Sequence, residues 1–277
     1  MIRLNRQSMP TSAVDDLARA AQAPFPRGVM THTWELPPEE LIIEEGEIHV
    51  WRAILDGDAE DFSRQAGTLS RTELARAAKF KFEKDRRRYM MARGILRAIL
   101  GRYLSLDACE VRLDTGLYGK PRLRKLEGGP DLRFSLAHSQ GFALYAFVLG
   151  HEVGVDLEFI KEDVDVMRLA DHVFSEKQTE ALNEHSGIDR VLAFYSAWTR
   201  MEAYLKACGL GFSVDPRCVD LPILVGAPDE FVNPNSEADK DEKWTIYDLE
   251  PAPEFAGAMV VEGVDWHLVR WSRFGPS

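Results

Sequence analysis

The two halves of this chain repeat one order of predicted elements, and this repeat restricts the fold more than any other feature. Alternating apolar and polar residues predict strands, whereas apolar residues spaced three or four apart predict helices. The matching pairs are strands 47–55 and 152–160, short helices 69–80 and 174–185, and long helices 86–104 and 191–209, with further strands closing each half. We therefore expect an α+β fold of two similar subdomains related by a pseudo-twofold axis. Each is expected to be a small, mostly antiparallel sheet packed against a long helix.

The repeat divides the chain into three regions. Residues 1–45 contain five prolines and little periodicity beyond a short helix at 12–23, so we expect a partly flexible extension outside the core. Residues 46–150 and 151–277 form the N-terminal and C-terminal subdomains. The contact between two such subdomains is a common place for a ligand, so we expect the active site there.

Charge is distributed unevenly along the chain. The net charge of −11 on 277 residues argues against general affinity for nucleic acid. Residues 71–102, the basic segment, nevertheless contain eleven Lys or Arg against three acids. Such a segment suits a small polyanion, for example a nucleotide or a phosphate ester. The structural alternative is a solvated helix face whose long side-chain stems cover apolar surface.

Membrane and export signals are not evident in the sequence. The longest apolar stretch, around residues 141–150, is too short to span a bilayer, and no signal-peptide pattern is present. Cys109, Cys208 and Cys218 lack metal-ligand spacing and fit reduced thiols better than a disulfide framework. We expect a cytoplasmic monomer without a membrane partner.

Two acids occupy the polar side of the predicted strand 152–160. Asp156 and Glu158 are two residues apart, so both carboxylates lie on one face, about 7 Å apart at the β-carbon. At about 5 Å and an effective dielectric of about 20, two such charges repel by about 3 kcal/mol, which a nearby cation would relieve. The alternative is the solvated face of an edge strand.

A third acid lies where a helix should be apolar. On a helical wheel of residues 191–209, Glu202 falls within the apolar stripe. An i,i+4 pair with Lys206 is the ordinary interpretation, but it contributes only about 0.2–0.5 kcal/mol when exposed, against a burial cost of several kcal/mol. If this helix packs on strand 152–160, Glu202 joins Asp156 and Glu158. Three oxygen ligands from two elements suit Mg²⁺ bound to a substrate phosphate.

Five short motifs resemble those of the 4′-phosphopantetheinyl transferases, in particular the larger, two-lobed, single-chain type. The motifs lie between residues 47 and 270 in the family's order and spacing: GKPRL, RFSLAHSQG, GVDLE, FSEKQTEAL and WTRMEAYLKACGLGF. The resemblance implies a two-lobed fold with coenzyme A in the cleft. It also implies magnesium-dependent transfer of 4′-phosphopantetheine from coenzyme A to a serine of an apo acyl or peptidyl carrier protein, releasing adenosine 3′,5′-bisphosphate. Such carriers belong to fatty acid, polyketide and nonribosomal peptide synthases.

The resemblance assigns roles to individual residues. Asp156, Glu158 and Glu202 are implied as the ligands of Mg²⁺, with Mn²⁺ as the alternative ion, and Asp156 is also counted as catalytic. Glu202, or a water that it orients, is expected to take the proton of the carrier serine. Lys206 is expected to stabilise or protonate the leaving phosphate. The implied coenzyme A contacts are Arg76, Arg88, Lys120, His138, Ser139 and Lys206, with Arg86 and Arg87 as rivals of Arg88.

The sequence departs from the family's pattern at three positions. Met201 stands where the family has a lysine, and its place on the apolar side of the wheel predicts a packing residue. Ser135 and Ala137 replace an asparagine and a serine of the family's Phe-Asn-x-Ser-His-Ser pattern. The replacement at Ala137 removes one hydroxyl that the family offers to phosphate.

The sequence leaves open where the carrier docks and which of two other function classes could apply. The carrier is expected to dock on loops beside the cleft that include residues 167–174, whose apolar side chains are equally compatible with a buried helix. A metal-dependent phosphoesterase or nuclease also needs clustered acids and cations. A non-catalytic module that binds coenzyme A is the third class, and the departures at Met201 and Ala137 favour it slightly.

Overall fold

The structure is a computed structural model that describes residues 33–116, 119–124, 128–211, 214–219, 221, 229–232 and 243–273. Within these ranges the chain forms six α-helices and ten β-strands, so the predicted α+β class is confirmed. The helices are α1 (Ala59–Ala66), α2 (Arg71–Ala77), α3 (Glu83–Leu104), α4 (Val166–Val173), α5 (Glu176–Asn183) and α6 (Gly187–Cys208). The strands are β1 (Glu47–Ile54), β2 (Leu113–Thr115), β3 (Pro121–Leu123), β4 (Leu132–Ser139), β5 (Phe142–Leu149), β6 (Val153–Phe159), β7 (Asp229–Val232), β8 (Lys243–Leu249), β9 (Phe255–Glu262) and β10 (His267–Ser272).

The repeated order of elements produces two sheets of the same topology. The first sheet contains the antiparallel order β1-β5-β4, and the second contains the antiparallel order β6-β9-β8. In each half the first strand is followed by two short helices and then a helix of 22 residues, α3 or α6. The mostly antiparallel sheets of the sequence prediction are therefore present in both halves.

One further strand joins each sheet at its edge. The strand β7 pairs with β8 in the second sheet, whereas β10 returns to the first sheet and pairs in parallel with β1. The expected division at residue 150 assigns β10 to the second subdomain. The hydrogen bonds of β10, however, connect this strand to β1 of the first sheet.

Three of the four buried apolar clusters in the described residues hold these layers together. The long helix α3 packs on the outer face of the first sheet, and Ile95 and Leu96 of this helix share one buried cluster with Tyr145 of β5. The helix α6 packs on the second sheet, where Tyr204 meets Trp244. A third cluster lies between the two sheets and contains inward-facing residues of β1, β4, β5, β6 and β9. Burial of apolar area in these clusters fixes both long helices relative to the strands.

The described part of the N-terminal region belongs to the core. Trp34 is 5% exposed and Leu41 is 6% exposed, and Glu35 forms a parallel bridge to Trp271 beside β10. The prediction that residues 1–45 lie outside the core is therefore wrong for Trp34 and Leu41. Residues 1–32, including the expected helix at 12–23, lie outside the described residues.

Most apolar side chains of the segment predicted to dock the carrier are buried. It forms the helix α4, in which Leu169 is buried, and Phe174 after it is also buried. The buried-helix interpretation is therefore confirmed. In the described residues, no helix has the length and apolar character needed to cross a membrane.

Candidate active site

A glycine in β6 brings the helix α6 unusually close to this strand. A β-carbon added at Gly154 would overlap the carbonyl oxygen of Ala203 and the amide nitrogen of Ala207. Only glycine permits such an approach of two backbones. Gly154 shares one face of β6 with Asp156 and Glu158, so the same face receives Glu202 and Lys206 from α6.

The cation on this helix pairs with the strand. The Lys206 ammonium lies 2.5 Å from Oδ1 of Asp156 and donates a hydrogen bond of 3.1 Å to the carbonyl oxygen of Val155. Both side chains of the ion pair are buried. The sequence interpretation considered an i,i+4 pair between Glu202 and Lys206, and the structure instead gives Asp156 as the salt-bridge partner.

Two carboxylate oxygens of these acids have no hydrogen-bond donor within the described part of the chain. They are Oδ2 of Asp156 and Oε1 of Glu202, and both are buried. Buried carboxylate oxygens without donors are energetically costly, and a bound cation would satisfy them. The donor set therefore fits a hard cation that prefers oxygen ligands. Among the described residues, no group of three or more His, Cys, Asp or Glu side chains is already arranged to hold a metal ion.

Burial changes the proton affinity of the other two acids. Burial, reinforced by the charge of Asp156, raises the pKa of Glu158 to about 8 and the pKa of Glu202 to about 7. The charge of Lys206 opposes both shifts. A carboxylate with a pKa near neutrality can accept and return a proton in the physiological range.

Lys206 also lines a cavity of about 510 Å³ between the two halves. Its walls come from α2, α3, the β2–β3 hairpin, β4 and the end of α6. A cavity of this size holds a ligand as large as a nucleotide cofactor. The basic side chains in its wall are Arg76, Lys79, Arg93, Lys120, His138 and Lys206.

Four of the predicted coenzyme A contacts are among these wall residues: Arg76, Lys120, His138 and Lys206. Arg76 and His138 differ in exposure and in charge. Arg76 is exposed and lies over the ring of Tyr89, with 5.8 Å between the guanidinium carbon and the ring centre. Burial, and then the charges of Lys206, Arg88 and Arg76, hold the pKa of His138 well below its usual value. His138 is therefore neutral at pH 7 and offers one hydrogen-bond donor and one acceptor.

The third of these contacts, Lys120, bonds to other protein groups and so links parts of the fold. Its ammonium donates to Oε2 of Glu152 at 3.0 Å and to the carbonyl oxygens of Val153 and Ala207 at 3.1 Å each. These bonds use all three ammonium hydrogens and connect the β2–β3 hairpin to both β6 and α6. Burial lowers the pKa of Lys120, although the charge of Glu152 opposes this. The predicted contact with coenzyme A stays a prediction.

Arg88 does not line the cavity. Its guanidinium makes two hydrogen bonds with Asp56, at 2.8 Å from Nε and 2.5 Å from Nη2. The rivals also have partners: Arg86 pairs with Glu83 at 2.5 Å, and Arg87 lies 3.8 Å from the ring centre of Phe62. Arg86 is exposed, as the solvated-face alternative for the basic segment predicts, whereas Arg88 is buried and does not fit it. Phosphate binding by these three arginines stays a prediction.

Ser139 lies in the seam, which is the contact between β4 and β6. Its hydroxyl group is hydrogen-bonded to the amide of Phe159 and to Oε2 of Glu158, each at 3.1 Å. Ser139 does not line the cavity, so its predicted contact with coenzyme A stays a prediction. Met201 is fully buried among apolar residues, which confirms that it is a packing residue.

Lys79 is a cavity residue that the sequence interpretation did not single out. It is exposed, lines the cavity and follows Arg76 by three residues, just beyond the end of α2 and within the helix predicted over 69–80. Residues three apart share a helix face, so this spacing within the basic segment was the available signal. The aromatic wall residues Phe80 and Tyr89 gave no comparable signal, because apolar side chains near a helix also suit a core.

Known proteins resemble this chain in both of its halves. Residues 55–148 match the family model described as 4′-phosphopantetheinyl transferase, N-terminal, and residues 152–256 match that of the 4′-phosphopantetheinyl transferase superfamily. The chain is 34% identical over 243 residues to the 4′-phosphopantetheinyl transferase HetI of Nostoc sp., which covers 88% of this chain and 99% of HetI. It is 26% identical over 155 residues to the 4′-phosphopantetheinyl transferase Sfp of Bacillus subtilis, covering 56% of this chain and 66% of Sfp.

A solved structure of holo-(acyl-carrier-protein) synthase from Thermotoga maritima aligns with 40% of this chain and 62% of its own, at 16% identity. Its TM-score of 0.26 is too low to inform the fold. The sequence matches are stronger evidence than this structural match, because they cover both halves of the chain and nearly all of HetI. The chain belongs to the 4′-phosphopantetheinyl transferase superfamily and is a transferase of this type.

Proposed function

We propose that this protein transfers 4′-phosphopantetheine from coenzyme A to a serine of an apo acyl or peptidyl carrier protein. One observation carries the proposal: the donor-free oxygens of Asp156 and Glu202 lie beside Lys206, which lines a basic cavity. This combination provides both a place for a divalent cation and a place for a phosphorylated substrate. Membership of the family supports the same activity.

The cavity supports coenzyme A as the donor. Coenzyme A carries charge on a pyrophosphate and on a 3′-phosphate, and the exposed cations Arg76 and Lys79 are suited to phosphate oxygens. Neutral His138 can donate a hydrogen bond to a phosphate without adding charge. Lys206 lies closest to the acids, so we place the pyrophosphate at its end of the cavity.

Asp156, Glu158 and Glu202 would hold Mg²⁺, or Mn²⁺ as the alternative. When bound, the ion would neutralise the acids and the pyrophosphate and so stabilise charge in the transition state. The donor-free oxygens of Asp156 and Glu202 are the atoms that support this assignment. The pKa values of Glu158 and Glu202 imply that protons compete with the ion below about pH 7.

Glu202 is suited to take the proton of the carrier serine. In the proposed step the serine oxygen forms a bond to the β-phosphorus of coenzyme A. The bond from this phosphorus to the bridging oxygen breaks, which releases adenosine 3′,5′-bisphosphate. The hydroxyl proton passes to Glu202, whose pKa of about 7 suits a general base. Lys206 donates a hydrogen bond to the leaving oxygen and limits its charge.

Incubation with coenzyme A, Mg²⁺ and a panel of apo-carrier proteins tests this proposal. Intact mass spectrometry should show one added phosphopantetheine on at least one carrier, and the panel ranks the partners. Glu202→Gln should abolish the transfer while the protein stays folded. A variant with near wild-type turnover would refute the role of Glu202 as both base and metal ligand.

The same experiment separates the rival activities. Cleavage of coenzyme A without any carrier present would indicate a phosphoesterase. Tight binding of coenzyme A without transfer to any carrier would indicate a binding module.

We also propose a cytoplasmic monomer without nucleic-acid or membrane partners. Within the described residues, Cys109, Cys208 and Cys218 form no disulfide, which supports a reducing compartment. Light scattering of the purified protein tests the monomer.

A further inference from the structure

Ser139 and His138 are neighbours on β4 but face different surroundings. His138 lines the cavity, whereas Ser139 is 6% exposed and lies in the seam against β6. Neighbouring residues of a strand point to opposite faces, so the two side chains have separate tasks. The task of Ser139 can be read from its hydrogen bonds.

The direction of these hydrogen bonds is determined by chemistry. The Phe159 amide can only donate, so the Ser139 oxygen must be the acceptor at 3.1 Å. The single hydroxyl hydrogen is then left for Oε2 of Glu158, also at 3.1 Å. The Phe159 amide holds the serine oxygen in place, and the serine in turn holds the Glu158 carboxylate.

We infer that Ser139 is a positioning residue that orients Glu158 for a divalent cation. This inference rests on the proposed function, because it assumes that Glu158 binds the ion. Groups that hydrogen-bond to metal ligands commonly change metal affinity by about 10- to 100-fold when they are removed. Ser139 belongs to the first half of the chain and Glu158 to the second. The first half therefore contributes to the ion site without supplying a ligand.

Ser135 provides a matched control on the same strand. It lies four residues before Ser139 and is 5% exposed, and its hydroxyl accepts a hydrogen bond of 3.1 Å from the Val155 amide. Val155 likewise lies four residues before Phe159 on β6. No hydrogen bond from Ser135 to a carboxylate is present in the part of the chain that the structure describes. Ser135 also lines the cavity, so Ser135→Ala serves as the control only in the melting measurement without coenzyme A. There it removes a seam hydrogen bond, whereas Ser139→Ala also removes the donor to Glu158.

The test is a Mg²⁺ titration of three variants, Ser139→Ala, Ser135→Ala and Ser139→Thr. Melting temperature without coenzyme A is the first measurement, and transfer rate against Mg²⁺ concentration is the second. We expect Ser139→Ala to raise the Mg²⁺ midpoint about tenfold or more in both measurements. Ser135→Ala should lower the melting temperature of the metal-free protein without moving the midpoint of the melting measurement. Ser139→Thr keeps the hydroxyl and should restore the wild-type midpoint.

The outcomes distinguish two failures. If wild-type protein transfers phosphopantetheine with a clear Mg²⁺ dependence but both alanine variants share one midpoint in the melting measurement, Ser139 has only a structural role. If wild-type protein responds to Mg²⁺ in neither measurement, the proposed ion site fails, and this inference fails with it. A Ser139→Thr variant that stays as defective as Ser139→Ala, although equally well folded, would also overturn the inference.

Discussion

Removing the charge of Glu202 is expected to stabilise the metal-free protein at alkaline pH. Burial raises the pKa of Glu202 from 4.5 to about 7, so ionisation is less favourable in the folded state than in the unfolded state. Between these two values the folded protein holds a proton that the unfolded chain has lost. The free energy of unfolding therefore falls as the pH rises, and the loss is complete above about pH 7.

The magnitude follows from the same two values. A difference from 4.5 to about 7 corresponds to about 3 kcal/mol of stability, of which about 1 kcal/mol is already lost at pH 5. Glutamine has nearly the same shape as glutamate and does not ionise. We therefore expect the stability advantage of Glu202→Gln over wild type to increase by about 2 to 3 kcal/mol between pH 5 and pH 8.

Urea unfolding followed by tryptophan fluorescence measures this quantity, with a chelator present to remove divalent ions. Glu110→Gln, a change at an exposed acid, is the matched control and should show no such increase. An advantage that is equal at pH 5 and pH 8 would refute the assignment of a buried, ionising Glu202. Adding Mg²⁺ at pH 8 to about 100 times its dissociation constant should stabilise wild type by about 3 kcal/mol. The same addition should stabilise Glu202→Gln less.

The remaining predictions concern three residues near the cavity. Lys206→Met should lower the transfer rate at saturating Mg²⁺ by about 100-fold. Because it also leaves the buried Asp156 without its ion-pair partner, it should lower the free energy of unfolding by about 3 kcal/mol or more, measured by urea unfolding. A transfer rate that equals that of wild type once corrected for the folded fraction would indicate a plain salt bridge. Gly154→Ala should destabilise the protein by about 3 kcal/mol or more, measured in the same way, because the new methyl group meets the Ala203 backbone. Lys120→Met should lower the free energy of unfolding by about 1 to 3 kcal/mol, because its three acceptors lose their donor. A higher KM for coenzyme A with unchanged stability would contradict this structural role.

The acidic part of the site was predictable because local periodicity determines it. Alternation along β6 places Asp156 and Glu158 on one face, and the helical wheel places Glu202 on the apolar face of α6. The step from these patterns to one site needed the packing of α6 on β6. Gly154 is the residue that permits this packing, but a single glycine in a strand pattern is equally compatible with a bulge or a tight bend.

The partners of the long cations were not predictable. Arg88 binds Asp56, which is 32 residues away in sequence, and Lys120 binds the Ala207 carbonyl, which is 87 residues away. Long flexible side chains reach any acceptor that the tertiary structure brings within range, so spacing in sequence carries little information about them. The family motif predicted the location of Lys120 at the cavity but not the three acceptors that its ammonium meets.

The pairing of β10 with β1 has a consequence for how the molecule is made. A ribosome releases the amino end first, yet the first sheet gains its fourth strand only after residues 267–272 have emerged. Until then one side of β1 has unpaired amide and carbonyl groups, which are prone to associate with other nascent chains. For the same reason, a fragment that stops near the middle of the chain should aggregate, and adding the missing piece in trans should rescue it.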